Sequence, residues 1–563
     1  MELDNIIRKN ALKNALDFKG KANPGAIAGK ILGTHAEWRE KRAELMKKID
    51  IIVHEVNKLT PTQQQEELSK LAPEMLVKEE KKERNIFEFL GIKDGDKVVS
   101  AFPPGPEKYP HIGHAKAALL NHLLAEKYGG DFLLRFEDTN PHLVKSIFYE
   151  IIPQDLAWLG VKWKKIIYAS DHMQLFYSLC EKAIKDENAY VCTCNEERIS
   201  ESREKGKACD CRDRSPEENI EMWKNMPNVP EGHAIVRLKI DLTHQNTTMR
   251  DPTIFRIIDE PHARHGKEYR VWPNYDWQNA IMDSETGVTH RIRSKEFELR
   301  NELQRYIQSM LGLRQTFTYE FGRFELEGVE TSGRKIREGI EQGRYLGWDD
   351  PSLVTLCALR RRGFVPEAIK NFVVSTGISK AEATLTWDDL IIHNRRLLDA
   401  SANRYSFVKD PIELWVKGAP KQKVEMNLHP EHRRGGRKFE TYDLFYITKE
   451  DASKLEEGKM YRLMDCLNFR KQPDGFEFDS TDVARYKQHG EKIIHWLPKS
   501  DDLVDVEIMM PDKTLTTGLG EQTMLKIKIG DVVQFERYGF CRLDKREKNE
   551  EGKERLVFWY THK

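Results

Sequence analysis

Cysteine is scarce in this chain, with 8 in 563 residues. That excludes a disulfide-stapled scaffold and suits a protein of the reducing cytoplasm. Net charge is missing altogether, because 91 Lys+Arg stand against 91 Asp+Glu. A binder driven by a strongly basic tail is therefore excluded. A nucleic-acid partner is not, since local charge arrangement decides that. No apolar run approaches the roughly 18 residues of a membrane helix. The opening MELDNIIRKN carries both signs of charge where a signal peptide has an apolar core. With 39% hydrophobic and 32% charged residues, the composition is neither disordered nor collagen-like. No short-period repeat or low-complexity tract stands out. The length predicts about three to five domains.

Residues 1–95 read as a separate helical extension, with apolar positions at helical spacing in Ile6, Ile7, Leu12 and Leu16 and again from Ile51 to Val56. The Gly/Pro-marked segment KANPGAIAGKILG (21–33) interrupts that pattern, and the polar run KEEKKER (78–84) marks a linker. At 97 the texture changes. KVVSAF (97–102) predicts a buried strand, followed by a Pro/Gly loop, a helix from about 111 to 128 and a second strand over Asp131–Phe136. This is the β-loop-α-β unit of a doubly wound α/β domain. Strand and helix patterns alternate to about 325, and 345–405 reads mostly helical. Beyond 405, short strands separated by turns predict one or two β-barrels.

The first chemical motif is Pro110-His111-Ile112-Gly113-His114, where a loop enters a helix. His111 and His114 are three apart and share one face of the first turn. Unpaired N–H groups and the positive dipole end suit phosphate there, and Gly113 permits close approach to the backbone. The second is Cys192-x-Cys194, then 14 residues, then Cys209-x-Cys211. Four thiolates in two paired turns match a structural tetrahedral Zn²⁺ site, with free thiols, a lost site or a redox pair as the alternatives. The third is a set of basic patches: Arg291-Ile292-Arg293, Arg360-Arg361-Arg362 and HRRGGRK (432–438). The bland reading of each is a solvated face or turn.

FPPGPEKYPHIGHAKAALLN (102–121) followed by LLRFEDTNP (133–141) resembles the HIGH-motif half of class I aminoacyl-tRNA synthetases, and within them the glutamyl/glutaminyl group. The resemblance continues through RDRSPEENIEMW (212–223), MRDPTIFRI (249–257), WPNYDWQNAIMD (272–283), GVTHRIRSKEF (287–297) and GWDDPSLVTLCALRRRGF (347–364). The barrel half resembles archaeal and eukaryotic members. The resemblance implies an α/β multidomain chain. Its parts are a helical tRNA-associated extension over 1–95 and a Rossmann-type catalytic domain over 96–325, with an acceptor-end insertion at about 188–270. A KMSKS-like loop and helical linking domain follow over 326–405, then anticodon-binding β-barrels over 406–563. It implies a glutamate–tRNA ligase that consumes ATP with Mg²⁺ and releases AMP and diphosphate. The partners are then L-glutamate and tRNA(Glu), with tRNA(Gln) left open, for a cytoplasmic monomer without membrane attachment.

Residue by residue, the resemblance places ATP against Pro104, His111, Gly113, His114, Ser332, Arg334 and Lys335, with His111, His114, Arg334 and Lys335 catalytic. Glutamate falls to Glu137 for its ammonium, to Tyr275 and Asn279 in YDWQN, and to Arg293, where glutaminyl members carry a small uncharged residue. A guanidinium fork pairs a carboxylate bidentately and leaves an amide underpaired. The tRNA falls to Arg360, Arg361 and Arg437, and structural zinc to Cys192, Cys194, Cys209 and Cys211. Two positions depart from the pattern. Relatives carry Ser-Lys-Arg-Lys where this chain has Ser332-Gly333-Arg334-Lys335, so Arg334 or Lys335 is left to supply the missing cation. An arginine expected in the first strand is Ala101, which throws glutamate recognition onto Arg293 or another cation. A glutaminyl enzyme and a non-catalytic tRNA-binding paralogue are the competing readings.

Overall fold

The computed structural model describes residues 2–18, 20–34, 38, 41–75, 85–93 and 95–563. The KEEKKER segment lies outside them. The chain forms two compact units, Met1–Asn85 and Ile86–Lys563. The first is helical: α1 (Glu2–Asp17), α2 (Pro24–Thr34), α3 (Arg42–Val56) and α4 (Pro61–Leu71). Their apolar stripes, including Ile7, Leu12, Ile31, Ile49, Val53 and Leu68, close one core. The Gly/Pro segment expected to interrupt this region is itself α2. Asn23 accepts the Gly25 and Ala26 amides through Oδ1, and Pro24 takes the first turn, where its missing N–H costs nothing.

The boundary expected at 95 falls instead after Asn85. Phe87 is buried with Val98, Phe102 and Phe132, and Ile86, Leu90 and Ile92 pack on the same core. In the second unit a three-stranded parallel sheet has the order β1 (Val99–Phe102), β2 (Asp131–Phe136), β3 (Ile166–Tyr168), with α5 (Ile112–Lys127) as the first crossover. An insertion follows as an antiparallel sheet of β4 (Ala189–Cys192), β5 (Ile235–Leu238), β6 (Thr253–Ile257) and β7 (Val271–Pro273). The chain returns through α6 (Tyr275–Glu285) to β8 (His290–Ser294), which pairs in parallel with β9 (Phe317–Phe321). The Thr289 amide donates to Val99 O at 2.8 Å, so β8 lies beside β1 on the side away from β2. Chain direction across the sheet therefore reverses at β1, and ligands of doubly wound folds sit at such a reversal.

The loop after β10 (Phe324–Leu326) leads into α7 (Gly333–Glu341), and α8 (Leu356–Arg362) begins the helical stretch expected from the sequence. The carboxy-terminal half holds two seven-stranded sheets and a long hairpin, Gln422–His429 with Arg433–Thr441. Strands at 404–409 pair with strands of 504–562, so the chain starts one barrel, builds the other over 411–498, and returns to finish the first.

Candidate active site

A cavity of about 530 Å³ opens at the carboxyl ends of β1, β2 and β8. The Pro/Gly loop after β1 supplies Pro104 and Lys108, and the start of α5 supplies His111, Gly113 and His114. His111 caps α5: its Nδ1 accepts the Gly113 amide at 3.0 Å, while its own amide donates to His114 Nδ1 at 3.2 Å. A ring that accepts at Nδ1 carries its proton at Nε2 when neutral. Burial, helped by the Lys108 charge, pushes His111 down to about 3. Burial likewise holds His114 well below the usual imidazole range. The pair is thus two neutral Nε2–H donors at a helix N-terminus. The sequence suggested that Gly113 admits a ligand; the structure gives a further reason for glycine. A Cβ there would lie 2.8 Å from His111 Cε1, so the folded-back ring requires it.

The other end of the cavity is charged and buried. Arg135 pairs with Glu137 and with Asp283, both at 2.8 Å, and Asp283 also takes Arg291 at 2.7 Å. Glu137 accepts from Gln278 and from Asn279 as well. Desolvation raises the Glu137 carboxyl against the opposing pull of Arg135. Arg293 donates to Gln304 Oε1 at 3.1 Å and to Asn301, and its Nε has no hydrogen-bond partner. Among the described residues no carboxylate ion-pairs with Arg293. Burial and the neighbouring Arg291 bring its guanidinium down to about 10, so it remains charged at neutral pH. Arg135 and Arg291 are thus matched by Glu137 and Asp283, while Arg293 is held by neutral amides.

Several expected residues lie elsewhere than the sequence suggested. Tyr275 and Gln278 line the cavity; Asn279 is fully buried behind, between Glu137 and Arg291. Ser332, Arg334 and Lys335 are not part of the cavity wall, although Thr331 is. Arg334 pairs along α7 with Glu338 at 2.8 Å, and Lys335 with Glu330 at 3.4 Å. Cations that the motifs did not point to also line the wall: Lys108, Arg256 and Lys116. Lys116 is buried over Phe321 and Phe324, and burial draws its ammonium down to about 8.

Of the three expected RNA contacts, one is corrected and the other two are partly exposed. Arg437 is fully buried, forked onto Glu521 and joined to Glu536, and offers no face to a base. Arg361 forks onto Asp544 at 2.9 and 2.7 Å, reaches Asp349 at 2.7 Å and lies over Trp559. A phosphate would have to displace two carboxylates there. Arg360 is partly exposed, with Asp155 at 3.5 Å.

The sulfur atoms of Cys192, Cys194, Cys209 and Cys211 lie within 4.8 Å of one another, with Cys192–Cys209 at 3.9 Å and Cys194–Cys211 at 3.8 Å. Four ligands at about 2.3 Å from a tetrahedral zinc stand about 3.8 Å apart. The cluster, at the end of β4 and the foot of the insertion, fits that ion.

The family model of the catalytic domain of class I tRNA synthetases (E and Q) matches residues 97–400. Models of the anti-codon binding domain of the same class match 402–486 and 493–544. The chain is 41% identical over 585 residues to a protein of Pyrococcus furiosus named glutamate–tRNA ligase, covering 100% of both chains. The identity is 42% over 583 residues to the protein of that name from Pyrococcus abyssi and 38% over 563 to that of Methanothermobacter thermautotrophicus, again with 100% of each chain covered.

Proposed function

The chain belongs to the class I tRNA synthetases of the E and Q group, and from that premise we propose that its cavity is where glutamate meets ATP. The enzyme activates glutamate with ATP and joins it to tRNA. The observation that carries the assignment of the cavity is the unpaired charge at Arg293. Bound glutamate brings a side-chain carboxylate, which supplies the ion-pair partner that Arg293 lacks. Glutamine is neutral overall and would leave that guanidinium buried without a counter-charge.

In this reading the ammonium meets Glu137, with Tyr275 and Gln278 beside it, and the side-chain carboxylate meets Arg293. The glutamate α-carboxylate then attacks the α-phosphorus of magnesium-bound ATP, and diphosphate leaves. His111 and His114 donate Nε2–H to the phosphates, and Pro104 and Gly113 line the nucleotide. Positioning and charge stabilisation do most of the work, since phosphoryl chemistry asks little covalent help of the protein. The terminal ribose hydroxyl of tRNA finally attacks the adenylate carbonyl and releases AMP. Ser332, Arg334 and Lys335 reach the phosphates only by leaving Glu330 and Glu338. The enzyme acts as a cytoplasmic monomer on tRNA(Glu).

Charging of purified tRNA(Glu) and tRNA(Gln) with labelled glutamate or glutamine tests this. Glutamate on tRNA(Glu) is the expected product, and the same assay reads whether tRNA(Gln) is a second acceptor. Glutamine alone would overturn the Arg293 argument, and no product with either would favour a non-catalytic tRNA binder.

The four cysteines would hold Zn²⁺ with no open position, so the ion's contribution is structural. It would pin the insertion that receives the tRNA acceptor end. One zinc per chain is expected by elemental analysis. Cys209→Ser is expected to abolish it and to open residues 193–214 to limited proteolysis; a protein without zinc that resists protease equally would refute the site.

A further inference from the structure

The loop that carries Gly333 has no lysine where the resemblance leads one to expect it, and Arg334 and Lys335 point their charge at Glu338 and Glu330. Nothing in the backbone asks for glycine at 333, which opens α7 in ordinary helical conformation. What glycine does leave is room. A Cβ at 333 would lie 3.0 Å from Lys108 Cδ and 3.4 Å from Lys108 Cβ, so the Lys108 stem fills the space that a side chain at 333 would enter. Lys108 lines the cavity with His111, Gly113 and His114. Its charge is close enough to both rings to help keep them neutral. Among the described residues no carboxylate ion-pairs with it.

We propose that Lys108 is the cation that holds the departing phosphates of ATP, taking over from a loop lysine at position 333. This rests on the reading of the cavity as the ATP site. An ammonium beside two Nε2–H donors and a helix N-terminus completes a polyanion cradle. The diphosphate carries most of the charge that develops as the α-phosphorus–oxygen bond breaks, so Lys108 acts on the leaving group.

The test compares Lys108→Ala, Gly333→Lys and the double variant in tRNA charging, with melting temperature as the folding control. Lys108→Ala is expected to lower kcat/KM for ATP roughly a hundredfold, the usual scale for one charged donor. Inhibition by diphosphate should weaken in step, while inhibition by AMP, which lacks the outer phosphates, should not change. Adding Gly333→Lys to Lys108→Ala should regain at least about tenfold, because the freed space then admits a lysine from the loop. A change of threefold or less, a parallel loss of AMP inhibition, or no regain in the double variant would each overturn the proposal. An unaltered enzyme that fails to charge tRNA at all would overturn the reading of the cavity itself.

Discussion

Arg293→Ser is expected to lower kcat/KM for glutamate by about a thousandfold or more, with a melting temperature close to that of the parent. The scale follows from the site. A pocket built around a charge rejects a mismatched partner by orders of magnitude more than an apolar pocket does, because buried polar groups are left unpaired. A thousandfold corresponds to about 4 kcal/mol, within reach of one bidentate guanidinium–carboxylate pair removed from water. Arg293 is nearly buried and, among the described residues, makes no ion pair of its own. In the variant the side-chain carboxylate of glutamate enters without its guanidinium, while glutamine no longer leaves a buried arginine unpaired. The ratio of glutamine to glutamate charging should therefore rise, and parallel assays with both labelled amino acids measure it. Unchanged glutamate kcat/KM would remove Arg293 from recognition. The pH dependence carries the same sign. Burial and Arg291 lower this guanidinium to about 10, so the charge is full at neutral pH and is lost as pH rises through that value. KM for glutamate should climb more steeply in that alkaline window in the parent than in Arg293→Ser, where only the loss of the substrate's own ammonium remains.

The parts of the molecule written in short stretches were legible. A strand, a Pro/Gly loop and a helix start place His111 and His114 because their side-chain partners lie within three residues. The cysteine cluster is equally local at each half. Short strands separated by turns announced the barrels. What escaped was whatever depends on residues far apart in the chain. Arg437 reads as one cation of a basic turn, yet its partners Glu521 and Glu536 lie 84 and 99 positions away. Arg361 reads as part of a basic helix end, yet Asp544, 183 positions on, takes its fork. Register within α6 was harder to read for a subtler reason. Both i+3 and i+4 share a helix face with Tyr275, and the cavity takes Gln278 while Asn279 turns to the buried network. The balance of 91 cations and 91 acids gains meaning from this. Several of the clustered arginines face carboxylates inside the protein, so a charge run in sequence overstated the basic surface, while Arg433, Arg434 and Lys438 of the same turn do stay exposed.

Arg437→Ala should destabilise the barrel region more than any surface substitution. The guanidinium donates to Glu521 through Nε and Nη2, to Ser406 Oγ at 2.6 Å and to Glu536 at 3.1 Å, and it ties the hairpin to the barrel that starts at 404. Glu521 is itself 1% exposed. Removing the arginine leaves that carboxylate in low dielectric without its counter-charge, a loss of about 3–5 kcal/mol. Burial already raises the Glu536 carboxyl against the pull of Arg437, so the deletion raises it further. In a chain of several domains a single unfolding free energy is poorly defined, so amide hydrogen exchange is the measurement. Protection over 422–441 should fall by about two to three orders of magnitude, while α5 keeps its own. The double variant Arg437→Met with Glu521→Gln separates structure from RNA contact. The glutamine still accepts the Ser406 amide that Glu521 Oε2 accepts at 2.8 Å, the fully buried carboxylate is gone, and only the more exposed Glu536 loses a counter-charge, so the neutral pair costs less than the single deletion. Protection should return along with the parent's KM for tRNA. A double variant that refolds yet binds tRNA as poorly as Arg437→Ala would instead give Arg437 a direct part in RNA binding, against its burial.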